Sequence, residues 1–210
     1  MHMDRRRFVK NLGLGTASLS MGSLVTASSC APSGDSSLKQ NVKEGEDGQF
    51  LFIGDDIAIA QTEYGKVQGY LLNHVYTFLG VPYGADTSGK NRFMPPQKPE
   101  PWTDVRPAVF YGNTAPQRME NRWPNNYGTF ADHWNYWDVS EDCLYLNVWT
   151  PGIADGKRRP VLVWLHGGGF TNGSGIEQDG YHGENISREG DIVFCSINHR
   201  LGPIGFSDLS

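Results

Sequence analysis

Three consecutive glycines at positions 167–169 follow His166 at the end of the apolar run Val161–Leu165. Glycine adopts backbone conformations that are closed to other residues, so consecutive N–H groups in such a run can point at one oxygen atom. That arrangement is an oxyanion hole, which stabilises the negative charge that develops during acyl transfer. The same residues are equally consistent with a tight turn that has no chemical role.

Phosphate binding is the other chemistry that glycine-rich loops supply, and this segment does not fit it. Neither residues 167–172 nor residues 173–178 complete a G-x-G-x-x-G motif, and no Gly-Lys-Ser or Gly-Lys-Thr follows. The six histidines and three cysteines show no metal-ligand spacing. The sequence therefore predicts no cofactor and no metal site.

Two apolar runs must position the glycines. Residues 161–165 and 192–197 are short and rich in β-branched residues, which predicts two strands buried on both faces of a parallel sheet. The interval between them leaves room for a crossover near residues 181–189. Open α/β sheets bind ligands beyond the carboxyl ends of their strands, which is where the glycines lie.

The preceding chain predicts further strands. Residues 57–70 indicate two short strands with a hairpin turn at positions 64–66, and residues 75–79 indicate a third. Residues 105–111 and 143–150 are two more candidates. The predicted fold class is α/β, with antiparallel edge strands leading into a mixed, mainly parallel sheet.

Composition narrows the class of partner. The chain of 210 residues has a formal net charge of −5 and no clustered basic face, which argues against a nucleic-acid surface. Its 26 glycines and 12 prolines show no collagen period and no low-complexity tract, so they indicate a turn-rich globular protein.

The amino terminus predicts export. Residues 5–10 read Arg-Arg-Arg-Phe-Val-Lys, and a weakly apolar stretch without acidic residues follows at positions 12–27. This predicts an export signal over residues 1–30, too short to span a membrane as a helix of ~20 residues. The arginines followed by Phe, Val and Lys resemble a twin-arginine signal. A solvated basic tail is the alternative.

Cys30 ends the predicted signal. With the preceding Thr-Ala-Ser-Ser it resembles a relaxed lipoprotein box, in which the cysteine would be lipidated, although Ala27 stands where Leu or Val is usual. Ordinary signal-peptidase cleavage is the alternative. Residues 31–49 lack an apolar period and predict a flexible tether. The predicted location is therefore periplasmic, or anchored by a lipid on the extracytoplasmic side.

Residues 140–151, SEDCLYLNVWTP, closely resemble the signature of the type-B carboxylesterases, the family of para-nitrobenzyl esterases, cholinesterases and bile-salt lipases. Other segments match in the family's order across residues 57–208: FLGVPYG at 78–84, RF at 92–93, HGGGF at 166–170, GDIV at 190–193 and NHRLG at 198–202. Several ordered matches are more specific than any single one. The hormone-sensitive-lipase branch shares the glycine loop but does not explain the signature.

The resemblance implies an α/β-hydrolase fold and ester cleavage by a Ser, Glu or Asp, His triad. It makes Gly168 and Gly169 the oxyanion donors, and it makes His166 a residue that orients the loop rather than the base. No serine has glycine both two residues before and two after it. Residues 50–210 are therefore expected to be the amino-terminal part of the domain, ending before the nucleophile elbow and inactive alone.

The family pattern also implies structural roles. Arg92 and Glu141 match positions that form a salt bridge. Cys143 matches a disulfide position, but no cysteine lies near residues 114–117, so a free buried thiol is expected. Cys195 has the same expectation within its apolar strand.

An aromatic-rich segment precedes the signature and includes Trp123, Tyr127, Phe130, Trp134, Tyr136 and Trp137. The resemblance implies a loop bordering the active-site gorge; packing onto the body of the protein is the alternative.

The rival function is an inactive, esterase-like binding or adhesion protein. The retained glycine loop argues against it, because a binding module needs no oxyanion hole. The ester substrate and the oligomeric state are not predicted.

Overall fold

The computed structural model of the chain describes residues 50–118 and 138–207. Nine strands and two α-helices lie in these ranges: β1 (Leu51–Phe52), β2 (Ile59–Gln61), β3 (Lys66–Gln68), β4 (Tyr70–Leu72), β5 (Val75–Pro82), β6 (Arg106–Pro107), β7 (Tyr145–Thr150), β8 (Val161–Leu165), α1 (Glu184–Gly190), β9 (Val193–Ile197) and α2 (Gly202–Phe206). The predicted signal, lipid site, tether and aromatic-rich segment lie outside the described residues.

The described strands form one large sheet and one small sheet. The large sheet has the order β1-β4-β5-β7-β9-β8, and the small sheet has the order β2-β3-β6. In the small sheet, Ile59 pairs with Gln68 across a hairpin, as the sequence predicts. Residues 105–111 pair less than expected, because only Arg106–Pro107 form a strand there.

The large sheet is mixed, as predicted. Within the described residues, four of its five strand pairings are antiparallel, and β8 with β9 is the parallel pair. A mainly parallel sheet is therefore not what these ranges contain. Parallel neighbours need a crossover connection, and the crossover between β8 and β9 includes the 3-10 turn Asp179–Tyr181 and helix α1, close to its predicted position.

A β-bulge in β5 adjusts the sheet opposite β7. The pairing register shifts between Phe78 and Val81, and Gly80 has a φ of +64°. The bulged N–H of Gly80 donates to Oδ1 of Asn147 on β7 at 3.0 Å. The Gly80 N–H, which the bulge takes out of the strand ladder, therefore still has a hydrogen-bond partner inside the fold.

The core beneath α1 is built around Trp149. Its side chain is buried with Val75, Leu79 and Phe194. Helix α1 contacts this cluster through Ser187, whose Oγ donates to the carbonyl of Trp149 at 3.0 Å. This contact anchors α1 on β7, and with it the crossover between β8 and β9.

Strand β8 departs from its expected burial. The apolar run predicts a strand covered on both faces, yet Val161 and Leu165 are each 63% exposed and Val163 is 54% exposed. The reason is position, because β8 lies at the edge of the described sheet, where the ring of Tyr181 packs on that of Trp164. Among the described helices, none is long and apolar enough to cross a membrane.

Candidate functional site

The glycine loop (residues 166–173) begins at the carboxyl end of β8 and follows a backbone path that requires glycine. Gly168 and Gly169 have φ values of +123° and +61°. A Cβ atom added at Gly168 would also collide with the backbone carbonyl of Asn172. Position 168 therefore excludes larger residues both by backbone conformation and by close packing.

Within the glycine loop, Gly168 accepts hydrogen bonds through its carbonyl group, and the two predicted donor N–H groups are not used. The Gly168 carbonyl accepts from the backbone N–H of Thr171 at 3.2 Å and of Asn172 at 3.3 Å. In the ranges that the structure describes, the N–H groups of Gly168 and Gly169 donate to no protein acceptor, and both residues are exposed. Such a pair of donors can bind an oxyanion, and its role in doing so stays a prediction.

The far end of the loop is held by Gln117. Its Nε2 donates to the Gly173 carbonyl at 2.9 Å, and its Oε1 accepts from the Gly173 N–H at 2.8 Å. Gly173 is buried and has a φ of +111°. This reciprocal pair satisfies both backbone groups of Gly173 and fixes where the loop ends.

Asn198, directly after β9, connects the segment that follows the loop to the chain before β7. Its Oδ1 accepts from the N–H of Gly175 at 2.8 Å, and its Nδ2 donates to the Asn113 carbonyl at 3.0 Å. The Tyr83 hydroxyl donates to the Asn198 carbonyl at 2.7 Å. Burial raises the pKa of Tyr83 well above its ordinary value, so this hydroxyl remains a neutral donor.

His166 lies buried at the start of the glycine loop. Its Nδ1 is 2.8 Å from the carbonyl oxygen of Gly167. Its ring stacks on that of His199 with centroids 4.5 Å apart and an interplanar angle of 3°. These contacts hold the ring at the start of the loop, and the loop-orienting role that the family resemblance implies for His166 stays a prediction.

A largely apolar cavity of about 450 Å³ lies beside the glycine loop. Its walls come from the loop, the ends of β8 and β9, and α2: Leu165, His166, Gly167, Gly169, Phe170, Asn172, Ile197, His199, Leu201 and Phe206. Of the two predicted donors, Gly169 lines this apolar space, where hydrogen bonds to a developing charge are stronger than in water.

Ser174 follows the loop but does not serve as a nucleophile in this arrangement. Its side chain is 1% exposed, and its Oγ accepts from the N–H of Ile176 at 3.3 Å. Within the described part of the chain, no group of three or more His, Cys, Asp or Glu side chains is arranged to hold a metal ion.

The predicted ion pair between Arg92 and Glu141 is confirmed. Both Nε and the terminal guanidinium nitrogen of Arg92 contact the Glu141 carboxylate, at distances of 2.7 to 2.9 Å. The backbone carbonyl of Glu141 also accepts from the Thr87 hydroxyl. These contacts join the signature segment to the chain after β5 and give Arg92 a structural role.

Cys143 and Cys195 are free, buried thiols, as predicted. Burial raises the pKa of Cys143 to about 12, with a smaller contribution from the neighbouring Asp142 carboxylate. Burial alone raises the pKa of Cys195 to about 11. Both side chains therefore remain protonated near neutral pH and are poor nucleophiles or metal ligands.

Several supporting residues were not assigned roles from the sequence. Gln117, His199 and Phe206 contact the glycine loop through pairings that join distant parts of the chain. His199 lies within the NHRLG segment, so its motif was visible although its stacking was not. Gln117 lies in no motif and offered no signal.

Comparison with known proteins extends over most of the chain. Residues 56–210 match the model of the carboxylesterase family. The phenmedipham hydrolase of Pseudarthrobacter oxydans is 45% identical over 148 residues, which are 70% of this chain and 29% of that protein. The para-nitrobenzyl esterase of Bacillus subtilis is 39% identical over 155 residues, covering 72% and 29%. The chain thus spans less than a third of the length of these relatives.

Solved esterase structures share the fold of the described residues. An esterase from Clostridium hathewayi that hydrolyses aliphatic aromatic polyesters superposes with a TM-score of 0.67 at 38% identity, covering 77% of this chain and 31% of that one. A thermophilic para-nitrobenzyl esterase gives 0.62 at 37% identity, with coverage of 72% and 30%. The α/β-hydrolase fold class is confirmed. With a family match over residues 56–210 and structural similarity at this level of identity, the chain belongs to the carboxylesterase family.

Proposed function

We propose that the protein hydrolyses carboxylic esters through an acyl-enzyme intermediate, with Gly168 and Gly169 donating to the oxyanion. The observation that carries this proposal is a pair of N–H groups in exposed residues just after β8, which have no protein acceptor among the described residues, with Gly169 lining an apolar cavity. Donors at this place stabilise the tetrahedral intermediate, whose charge is absent from the ground-state ester. Family membership supports the same reaction.

The proposal requires a serine, an acid and a base that the described residues, 50–118 and 138–207, do not bring to the loop. Ser174 is buried, and His166 is held against Gly167 and His199. We therefore propose that the triad lies in sequence beyond Ser210, and that the 210-residue chain alone has no esterase turnover. A base must be aligned with its nucleophile by a third group, and such an arrangement needs all three members.

The first test determines the coding frame beyond Ser210 and assays the product that the gene encodes. Para-nitrophenyl acetate and butyrate report hydrolysis, and a fluorophosphonate probe followed by peptide mass spectrometry identifies the labelled serine. We expect turnover, and a label within a Gly-x-Ser-x-Gly segment. Alanine at the labelled serine is the control and should abolish both signals. A product with neither turnover nor label would overturn the enzymatic proposal and favour a binding role.

We further propose that the protein is exported and anchored through a lipid at Cys30. The basic residues 5–10, the weakly apolar stretch that follows them and the position of Cys30 support this proposal. Metabolic labelling with a clickable fatty acid should mark the wild type and leave Cys30→Ser unlabelled. Equal labelling of both proteins, or a wild type that carries no lipid, would contradict the anchor.

A further inference from the structure

Two stacked imidazole rings join the glycine loop to the segment that follows β9. The rings of His166 and His199 are almost parallel, with an interplanar angle of 3° and a centroid distance of 4.5 Å. His166 immediately precedes the three glycines, whereas His199 lies 33 positions later in sequence, beyond Asn198. The stack is therefore a tertiary contact made at the first residue of the loop.

A local hydrogen bond holds one edge of each ring. Nδ1 of His166 lies 2.8 Å from the Gly167 carbonyl, and Nδ1 of His199 lies 2.9 Å from the Arg200 carbonyl. A carbonyl oxygen only accepts hydrogen bonds, so each Nδ1 carries a proton. Each imidazole is consequently tied to the backbone at one edge, and its flat face is presented to the other ring.

The other end of the glycine run is held by the same segment. The Gly202 N–H donates to the Phe170 carbonyl at 2.7 Å. The ring centroids of Phe170 and Phe206 lie 4.6 Å apart, and the rings of Phe206 and His199 make a T-shaped contact with centroids 5.7 Å apart. One short segment, residues 199–206, thus contacts the chain immediately before and immediately after the three glycines.

We propose that His199 is a positioning residue for the oxyanion donors. Its flat ring sets the plane of His166, and His166 in turn sets the direction in which the backbone leaves β8 toward Gly168. His199 acts through His166 and is not itself assigned a contact with the substrate. This proposal rests on the proposed esterase function, because it assigns His199 a part in that reaction.

The expected kinetic effect is on kcat rather than on KM. Oxyanion donors act on charge that appears after the substrate has bound, so a small misplacement weakens transition-state binding selectively. Misplacement by about 1 Å can reduce a rate by roughly 100-fold. Removing the ring of His199 should therefore lower kcat by roughly 10- to 100-fold, while KM changes little.

Three variants of the product that the gene encodes test the proposal. His199→Ala removes the ring, and His199→Phe restores a flat ring that lacks Nδ1. Ile204→Ala is the matched control, because it truncates a half-buried side chain of α2 that takes no part in the ring contacts. We expect the kcat loss in His199→Ala, recovery of most of it in His199→Phe, and wild-type kcat in Ile204→Ala. A wild-type kcat in His199→Ala, or an equal loss in His199→Phe, would overturn the proposal.

Amide hydrogen exchange provides a readout that does not depend on activity. Exchange at Thr171 and Asn172, whose N–H groups donate to the Gly168 carbonyl, and at Gly202, whose N–H donates to the Phe170 carbonyl, should be faster in His199→Ala than in the wild type and should return toward the wild-type rate in His199→Phe. Unchanged exchange in His199→Ala would contradict the proposed link between the rings and the loop. If the wild-type gene product hydrolyses no ester but exchange is still faster in His199→Ala, the esterase proposal fails while the link between the rings and the loop is supported. The two failures are therefore distinguishable.

Discussion

The side chains of Asn147 and Ser196 form a buried hydrogen bond between β7 and β9. Asn147 Nδ2 donates to Ser196 Oγ at 3.1 Å, and the two residues are register partners in the antiparallel pair. The same carboxamide accepts from the bulged N–H of Gly80 through Oδ1. Three neighbouring strands are therefore linked by one side chain that is 3% exposed.

Replacing Asn147 by alanine should lower the free energy of unfolding by about 1–3 kcal/mol, because the partly buried N–H of Gly80 then loses its partner. Urea denaturation of the gene product measures the change. Asn185→Ala is the control, since Asn185 is exposed on α1. Combining Asn147→Ala with Ser196→Ala should cost less than the sum of the single variants. Strict additivity would mean that the hydrogen bond contributes nothing.

Alanine at Gly168 keeps the N–H but should displace it, and we expect kcat for ester hydrolysis to fall by up to about 10²- to 10³-fold, the cost of losing one oxyanion donor in a known hydrolase. The added Cβ would collide with the Asn172 carbonyl, and the φ of +123° at position 168 is unfavourable for alanine. Gly167 is the matched comparison, because a Cβ there meets nothing within 4 Å. Steady-state kinetics on para-nitrophenyl butyrate should show a much smaller loss for Gly167→Ala. Equal losses would mean that the whole loop, rather than position 168, is sensitive.

Substituting Met for Arg92 should lower the melting temperature, whereas Lys98→Met should leave it nearly unchanged. Arg92 makes a two-pronged contact with Glu141, whose side chain is 18% exposed. Lys98 makes a single 3.3 Å contact with Glu63, and both of these side chains are more than two-thirds exposed. Exposed single contacts contribute little, and two-pronged arginine pairs contribute more. Identical scans for the two variants would contradict this distinction.

The buried thiols predict a pH dependence at alkaline pH. In the unfolded chain a cysteine ionises near pH 8.5, whereas burial raises the native pKa of Cys143 to about 12 and of Cys195 to about 11. A pKa raised by folding stabilises the native state below the unfolded pKa, and this contribution is lost as pH rises through the native value. Stability should therefore fall between about pH 8.5 and pH 12.

Alkylation measures the same protection directly. Iodoacetamide at pH 8.5 should modify Cys143 and Cys195 slowly in the native protein and rapidly in urea, as followed by peptide mass spectrometry. Cys143→Ala should remove its share of the alkaline loss of stability, which provides the control. Rapid modification of Cys143 without urea would show that its thiol is accessible.

Local sequence patterns predicted the elements whose formation depends on residues close together in the sequence. The hairpin around Gly65, strand β7 and the crossover helix were predictable because alternation, turn residues and spacing act over short distances. The ion pair of Arg92 with Glu141 was predictable because both residues lie in family motifs.

The remaining features depend on which distant segments meet. The exposure of β8 follows from its place at the edge of the described sheet, and an apolar run alone does not reveal that place. The stack of His166 on His199 needs β9 to lie beside β8 in parallel register, so that both histidines emerge at the same end. The contact of Gln117 with Gly173 has no periodic signal at all.

The strand order has a consequence for the sequence of events in folding. Strand β9 is synthesised after β8 but lies between β7 and β8 in the sheet. Until β9 emerges, β8 has no hydrogen-bonding partner among the described strands, and the loop that follows it lacks Asn198 and His199 as supports. Translation proceeds at about 5–20 residues per second, so an apolar strand waits for seconds beside the nascent chain. The glycine loop should accordingly gain these supports only after β9 has paired with β7 and β8 in the described sheet.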